Sequence, residues 1–363
     1  MKKIISLIIV ALIFSVSCRT EKADKEDKST SKKEQPEKKK QPRVTKLILD
    51  GSHKYTIGDN IEFQIEYPDS LQLDSIKILI NNQTEEVIYE EKAEIPSEKL
   101  PVGTNNLRFE VFLQDKDKEV LYKRLEFKSD IEPKLLSCDI IANYPHDSEA
   151  YTQGLIYEDG FLYEGTGQKG QSSLRKIDLE SGDLISSRAL PNQYFGEGIT
   201  AYKDKIIQLT WTSRVGFIYD KEEFKLLRKV RYPTEGWGLT TDGEKLFMSD
   251  GSEKIYILNP ENFSEIDRFE VYDNEGSIEN LNELEYVDGK IYANVWQEDY
   301  IISFNPENGK VLEKIDCSNL VPEEFKGHHD YVLNGIAYDN ENERMLLTGK
   351  MWPKIYHVEF TGL

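Results

Sequence analysis

The chain has 363 residues, 38% of them hydrophobic and 31% charged, with a formal net charge of −20. That length accommodates two globular domains. Residues 1–43 hold twelve basic and six acidic side chains, so the remainder stands at −26, which argues against nucleic acid as a partner.

Lys2 and Lys3 precede an apolar run over 4–16, closed by Ser17 and Cys18. A charged start, a short apolar core and a small residue before a break predict a signal peptide over 1–17. The run is too short for a membrane span. A cysteine directly after it resembles a bacterial lipoprotein processing site, although Ser15 stands where that pattern prefers Leu. The resemblance implies acylation of Cys18, a membrane lipid as partner, and a cell-envelope location. Residues 18–43 are Lys, Glu, Gln, Ser and Pro with almost nothing apolar. Such a segment cannot bury enough surface to offset its ordering entropy, and it is expected to be a disordered tether.

Residues 44–130 alternate apolar and polar side chains at 46–49, 61–67, 76–80, 107–112 and 122–127. Period two predicts strands, and Asp50-Gly51, Gly58-Asp59-Asn60, Asn81-Asn82 and Gly103-Thr104 punctuate them as turns. About seven short strands in this length predict a small immunoglobulin-like β-sandwich. No titratable cluster stands out there, so a spacer or docking role is expected. Cys138 and Cys317 are the cysteines beyond Cys18. They lack metal-site spacing and are expected to be buried free thiols.

Residues 131–363 repeat one plan. A triplet opens each unit: Gln153-Gly154-Leu155, Glu197-Gly198-Ile199, Trp237-Gly238-Leu239, Asn282-Glu283-Leu284 and Asn334-Gly335-Ile336. The apolar residues that end the triplets are spaced 44, 40, 45 and 52 apart. A short strand, a tight turn and a second apolar strand follow each time. This period with several short strands per unit predicts a propeller of five blades. The last unit ends after its third strand, and the apolar segment 135–143 is free to supply the missing fourth and latch the ring. The fold class is therefore all-β: a five-bladed β-propeller preceded by a small sandwich.

The first two strands of a unit run antiparallel, so the start of one and the end of the next share a face of the disc. In a propeller the first strand lines the central channel. One mouth is predicted to carry Gln153, Glu197, Trp237, Asn282 and Asn334, ringed by Gly167, Trp211, Gly251, Trp296 and Lys350. Tryptophans at such positions also serve as core plugs, but five residue types at one repeat position argue against packing alone. A single carboxylate at an aromatic, amide-lined mouth suits one-base proton transfer. Lys350 there either stabilises charge or pairs with Glu197. His328-His329-Asp330 is the one histidine cluster, and its spacing predicts a solvated loop rather than a metal site. No metal ligand set is assigned.

The stretches YPHDSEAYTQGL, FGEGIT, LTWTSRVGFIYD, EGWGLT, LNELEYVDGKIYANVW, LNGIAYD and TGKMWPKIY, spread in order over every unit of residues 139–360, resemble the glutamine cyclotransferases of plants and bacteria. The resemblance implies a five-bladed enzyme that converts the N-terminal glutamine of peptides or proteins to pyroglutamate and ammonia. It implies Glu197 as general acid/base, and Gln153, Asn282 and Lys350 as polar substrate contacts. Trp211, Trp237 and Trp296 become aromatic walls, with Phe195 and Tyr151. Tyr151 stands where the family usually has Phe. No cofactor is implied for catalysis; a structural metal ion in the channel is compatible with the family. A non-catalytic ligand-binding propeller lipoprotein and a calcium-dependent propeller hydrolase are the alternative readings.

Overall fold

A computed structural model describes residues 42–49, 51 and 54–362. The expected signal peptide and Cys18, and all but residues 42 and 43 of the tether, lie outside the described residues.

Residues 46–128 form two facing sheets. The smaller has three strands, Lys46–Leu49, Asn60–Glu66 and Lys92–Pro96. The larger has five, in the spatial order Lys54–Thr56, Glu119–Lys128, Gly103–Leu113, Leu73–Ile80 and Gln83–Ile88. Alternation buries Ile61, Phe63 and Ile65 from one sheet against Ile76, Ile78, Leu107, Phe109 and Val111 from the other. Among the described residues there are eight strands, against about seven expected. The extra ones carry a weak pattern: Lys54–Thr56 has three residues, and Gln83–Ile88 is polar along most of its length.

The rest is a ring of four-stranded units. Four consecutive blades each use their strands in chain order, the inner ones being Thr152–Glu158, Gly196–Tyr202, Leu239–Thr241 and Leu281–Val287. The fifth unit begins at Leu333–Asp339 and ends at Lys354–Gly362. Its outer strand is Lys134–Pro145, antiparallel to Lys354–Gly362, with Phe360 opposite Cys138. The chain thus closes the ring with a segment from before the first blade. The five inner strands contact one another in sequence, and the fifth contacts the first.

The latch does more than the sequence predicts. It also pairs in parallel with Val311–Asp316, the outer strand of the fourth blade, and so fuses the last two blades into one eight-stranded sheet. That double pairing brings Cys138 and Cys317 close together, buried and as free thiols. No exposed ladder remains on the closing strand, which removes a template for aggregation.

Sandwich and ring share apolar contacts. The Tyr272 side chain belongs to the sandwich core, while its main chain is held by Gly309 and Val311 of the fourth blade. Glu270 accepts the Thr104 amide at 2.8 Å, and Lys310 pairs with Asp130 at 2.6 Å.

Candidate active site

The functional side chains sit where the inner strands go out of register. The ladder slips between Thr152 and Gly154, between Gly196 and Ile199, between Leu281 and Leu284, and between Leu333 and Ile336. Gln153, Glu197, Asn282 and Asn334 lie in those irregular stretches. A bulge re-aims a side chain that would otherwise follow the strand's alternation. At three of the four the polar residue, Gln153, Glu197 or Asn282, reaches a common cavity.

The inner strands approach one another closely because the triplets carry glycine. The Gly198 amide donates to Trp237 O of the next blade at 2.8 Å. A Cβ on Gly238 would lie 2.0 Å from Asn282 O. The fourth triplet has Glu283 at that place. Its two oxygens accept the amides of Leu155 at 3.2 Å and Ile336 at 2.8 Å, so one side chain crosses the axis and ties the fourth blade to the first and fifth. Burial, helped by the charge of Glu285, pushes its pKa well above the carboxylate range. The mouth is therefore a cup with a floor.

That cup is a cavity of about 340 Å³. Its wall includes Tyr151, Gln153, Phe195, Glu197, Trp211, Trp237, Asn282, Trp296 and Lys350, nine of the ten site residues anticipated from sequence. The tenth, Asn334, does not line it. Asn334 is fully buried beneath Gln153, donating to Thr152 O at 3.0 Å with Gln153 Oε1 at 3.5 Å. It positions Gln153 rather than facing a ligand.

Glu197 is 4% exposed and accepts a 2.5 Å hydrogen bond from Gln153 Nε2. Burial pushes its pKa well above the ordinary value, against the opposing pull of Lys350 and Gln153. Burial lowers Lys350 to about 8, although Glu197 and Asp330 favour its charged form. Among the described residues Lys350 has no ion-pair partner, so the alternative of a direct pair with Glu197 does not hold. Its Nζ instead lies 5.0 Å from the centre of the Tyr151 ring. Burial also raises the Tyr151 phenol to about 12, with Asp330 and Glu197 adding to the effect, so it stays protonated.

The aromatic wall is a run of edge contacts. Tyr151 meets Phe195 at 6.1 Å, Phe195 meets Trp211 at 5.7 Å, and Trp237 meets Trp296 at 5.8 Å. Gly251 is the bed for Trp237, since a Cβ there would come within 2.6 Å of the indole. One carboxylate joins the two halves: Glu235 accepts the indole N–H of Trp211 at 2.7 Å and of Trp237 at 3.2 Å. The sequence reading missed Glu235. The available signal was that tryptophans at a wall need an acceptor for the N–H, and Glu235 lies two residues before Trp237. Asp330, assigned from sequence to a solvated loop, is exposed but also lines the cavity.

Behind the wall lies a second buried pair. His146 Nε2 is 3.1 Å from Glu164 Oε1, and its Nδ1 is 2.6 Å from Trp352 O. Thr152 donates to the same Glu164 oxygen at 2.7 Å. The group thus clamps the segment bearing Tyr151 and Gln153 to the one bearing Lys350. Burial alone would lower the His146 pKa, but Glu164 raises it on balance. Burial likewise opposes ionisation of Glu164, and His146 with Arg175 brings its pKa below the ordinary value. A histidine raised on folding contributes stability fully below its unfolded pKa of about 6.5, and loses it as pH rises through the folded value. His146→Gln is therefore expected to lower Tm most at pH 6 and progressively less toward pH 9. Melting curves across that range check it; a gap that does not depend on pH would show that the imidazole is uncharged.

No three His, Cys, Asp or Glu side chains converge on a metal position among the described residues. At the axis, both Glu283 oxygens are committed to main-chain amides. The described residues there do not fit a channel cation.

The family model for glutamine cyclotransferase matches residues 119–360. The chain belongs to that family. The match reaches back into the last sandwich strand, Glu119–Lys128, further than the motifs alone indicate. Glutaminyl-peptide cyclotransferase of Arabidopsis thaliana is 38% identical over 234 residues, which cover 63% of this chain and 73% of the plant protein. The crystal structure of Myxococcus xanthus glutaminyl cyclase is 34% identical, with a TM-score of 0.60, over 64% of this chain and all of that one.

Proposed function

We propose that the protein is a glutaminyl-peptide cyclotransferase acting on peptides or proteins with N-terminal glutamine. The observation that carries this reading is Glu197: a buried carboxylate with a raised pKa, held by Gln153 in a cup of tryptophans beside Lys350.

The chemistry asks for a folded substrate. The α-amine must reach the side-chain amide carbon, and a closely lined cup favours that conformer over extended ones. The α-amine titrates near 8. Burial raises the proton affinity of the Glu197 carboxylate from its ordinary range toward that of the amine, the direction that favours acid/base catalysis. The incoming ammonium gives its proton to Glu197. Nitrogen then attacks the amide carbon, forming a C–N bond and a tetrahedral oxyanion. Lys350 stabilises that oxygen. Glu197 gives the proton it carries to the departing amide nitrogen, the old C–N bond breaks and ammonia leaves. Glu197 then takes the surplus proton from the ring nitrogen and releases it to the ammonia or to solvent, which restores the carboxylate. Pyroglutamyl peptide remains, and atoms balance without a cofactor.

Gln153 has a narrower role than a general donor, because its amide is engaged with Glu197 and orients it. Asn282 presents a buried Oδ1 without a partner among the described residues, an acceptor for an N–H of the substrate glutamine. The indoles exclude water, which favours cyclisation over hydrolysis.

The test is ammonia release from a glutaminyl peptide by purified protein, with the product one ammonia lighter by mass. Turnover that persists in chelator is expected. Tight binding of the peptide without ammonia would turn the reading into a ligand-binding propeller. Loss of turnover in chelator, restored by calcium or zinc, would require a metal.

A further inference from the structure

The cup has a buried floor and an open rim of different charge. On the floor, Glu197 and Lys350 are 4% and 3% exposed. On the rim stand Trp211, 38% exposed, and the loop that carries Asp330, exposed over 326–330. A glutamine that fills the floor must send the following residue out past this rim. The two rim carboxylates differ in availability. Glu235 is engaged by two indole N–H groups. Asp330 has no hydrogen bond or ion pair among the described residues.

The Asp330 loop is nonetheless fixed in place. Trp352 donates its indole N–H to Tyr331 O at 2.9 Å. The Tyr331 ring stacks on Phe325 at 4.8 Å and 25°. His329 Nδ1 is 3.0 Å from Gln297 Nε2, next to Trp296 of the wall. A carboxylate anchored on both sides and free of partners presents a fixed negative charge to whatever leaves the cup. Its charge reaches Lys350 on the floor, but it forms no ion pair among the described residues.

We propose that Asp330 selects substrates by the charge of the residue that follows the N-terminal glutamine, favouring Lys or Arg and disfavouring Asp or Glu. The proposal rests on the cyclotransferase reading and assigns its substrate class. The effect belongs to binding rather than chemistry, because Asp330 lies on the opening and not on the reacting atoms. A single charge pair near water at a separation of a few ångströms changes an equilibrium by about three- to tenfold.

The experiment uses the full chain and three peptides that differ only in the second residue, Gln-Lys, Gln-Ala and Gln-Glu. Ammonia release at low salt gives kcat and KM for each. The wild-type protein is expected to rank them Lys, Ala, Glu, with a Lys-to-Glu ratio in kcat/KM of about tenfold that resides in KM and shrinks at high salt. Asp330→Asn should bring the ratio close to one, and Asp330→Lys should invert it. A wild-type ratio near one overturns the proposal. So does an Asp330→Asn protein that keeps the wild-type ratio, including one whose rates fall equally on all three peptides, because that marks a loop support. Failure of the underlying reading looks different: no peptide releases ammonia from the wild-type protein, and the proposal falls with it.

Discussion

Glu197→Gln is expected to reduce turnover by at least about two orders of magnitude, within the hundred- to ten-thousand-fold span of acid/base contributions. The substitution keeps the volume and an oxygen to accept from Gln153, and removes only the capacity to carry a proton. KM should change less than kcat, because Trp211, Trp237, Trp296 and Asn282 still enclose the glutamine. The same change should not weaken the fold. Burial holds the Glu197 pKa above its unfolded value of about 4.3, so the folded state resists the ionisation that the unfolded chain accepts. That penalty is absent below the unfolded pKa and grows as pH rises toward the folded one. Glu197→Gln is therefore expected to melt at the wild-type temperature near pH 4 and above it at pH 8. A site residue that strains the native state in exchange for reactivity behaves in this way. Lys350→Met offers the contrast, with a large loss in kcat from the undefended oxyanion and no return of activity at higher pH. Near-normal turnover by Glu197→Gln would end the catalytic assignment.

The repeat made most of the ring legible. Turn pairs such as Asp242-Gly243 and Asp288-Gly289 fix the hairpins, and the triplet spacing places one polar residue per blade at a common mouth. The latch was legible for the same reason: a fifth unit short of a strand and an orphan apolar segment fit one another. What periodicity does not report is which residues meet across blades. The parallel pairing of the latch with Val311–Asp316 depends on how the ring closes, and no local pattern encodes it. Asn334 shares the repeat position of Gln153, yet the bulge at the fifth blade turns it under its neighbour rather than into the cup. Glu235 and Asp330 lie between strands, where alternation is silent, and their importance comes from partners 24 residues distant or from position at an opening. Glu283 read as one residue of a triplet; only the closed ring shows that it fills the axis. The sandwich was less legible strand by strand because Gln83–Ile88 is mostly polar and Lys92–Pro96 has only five residues.

Gly238→Ala is expected to be among the most damaging single-methyl substitutions in the ring, lowering Tm by roughly ten degrees. Four of the five triplets carry glycine at this place, and Gly238 is the tightest of them. An added Cβ would stand 2.0 Å from Asn282 O, 2.8 Å from Asn282 C and 2.9 Å from Glu283 Cα. All three belong to the neighbouring main chain, so no side-chain rotation makes room. Relief requires the third and fourth inner strands to separate by about an ångström, and the ring is closed, so the displacement passes to every other blade. Overpacking of a tight core costs about 1–3 kcal/mol and more where backbone must move. For a unit of this size each kcal/mol lowers Tm by roughly 2–4 °C. Function should suffer as well in whatever remains folded, because Trp237 and Asn282, both of which line the cup, sit at the starts of the displaced strands. Gly243→Ala is the control. Its backbone has φ +89°, so alanine there is strained, but nothing lies within 4 Å of the new methyl. That variant should lose only about 1 kcal/mol and retain its activity. Equal melting temperatures for the two variants would mean that left-handed strain and not strand contact sets the penalty, and the account of the glycine triplets would fail.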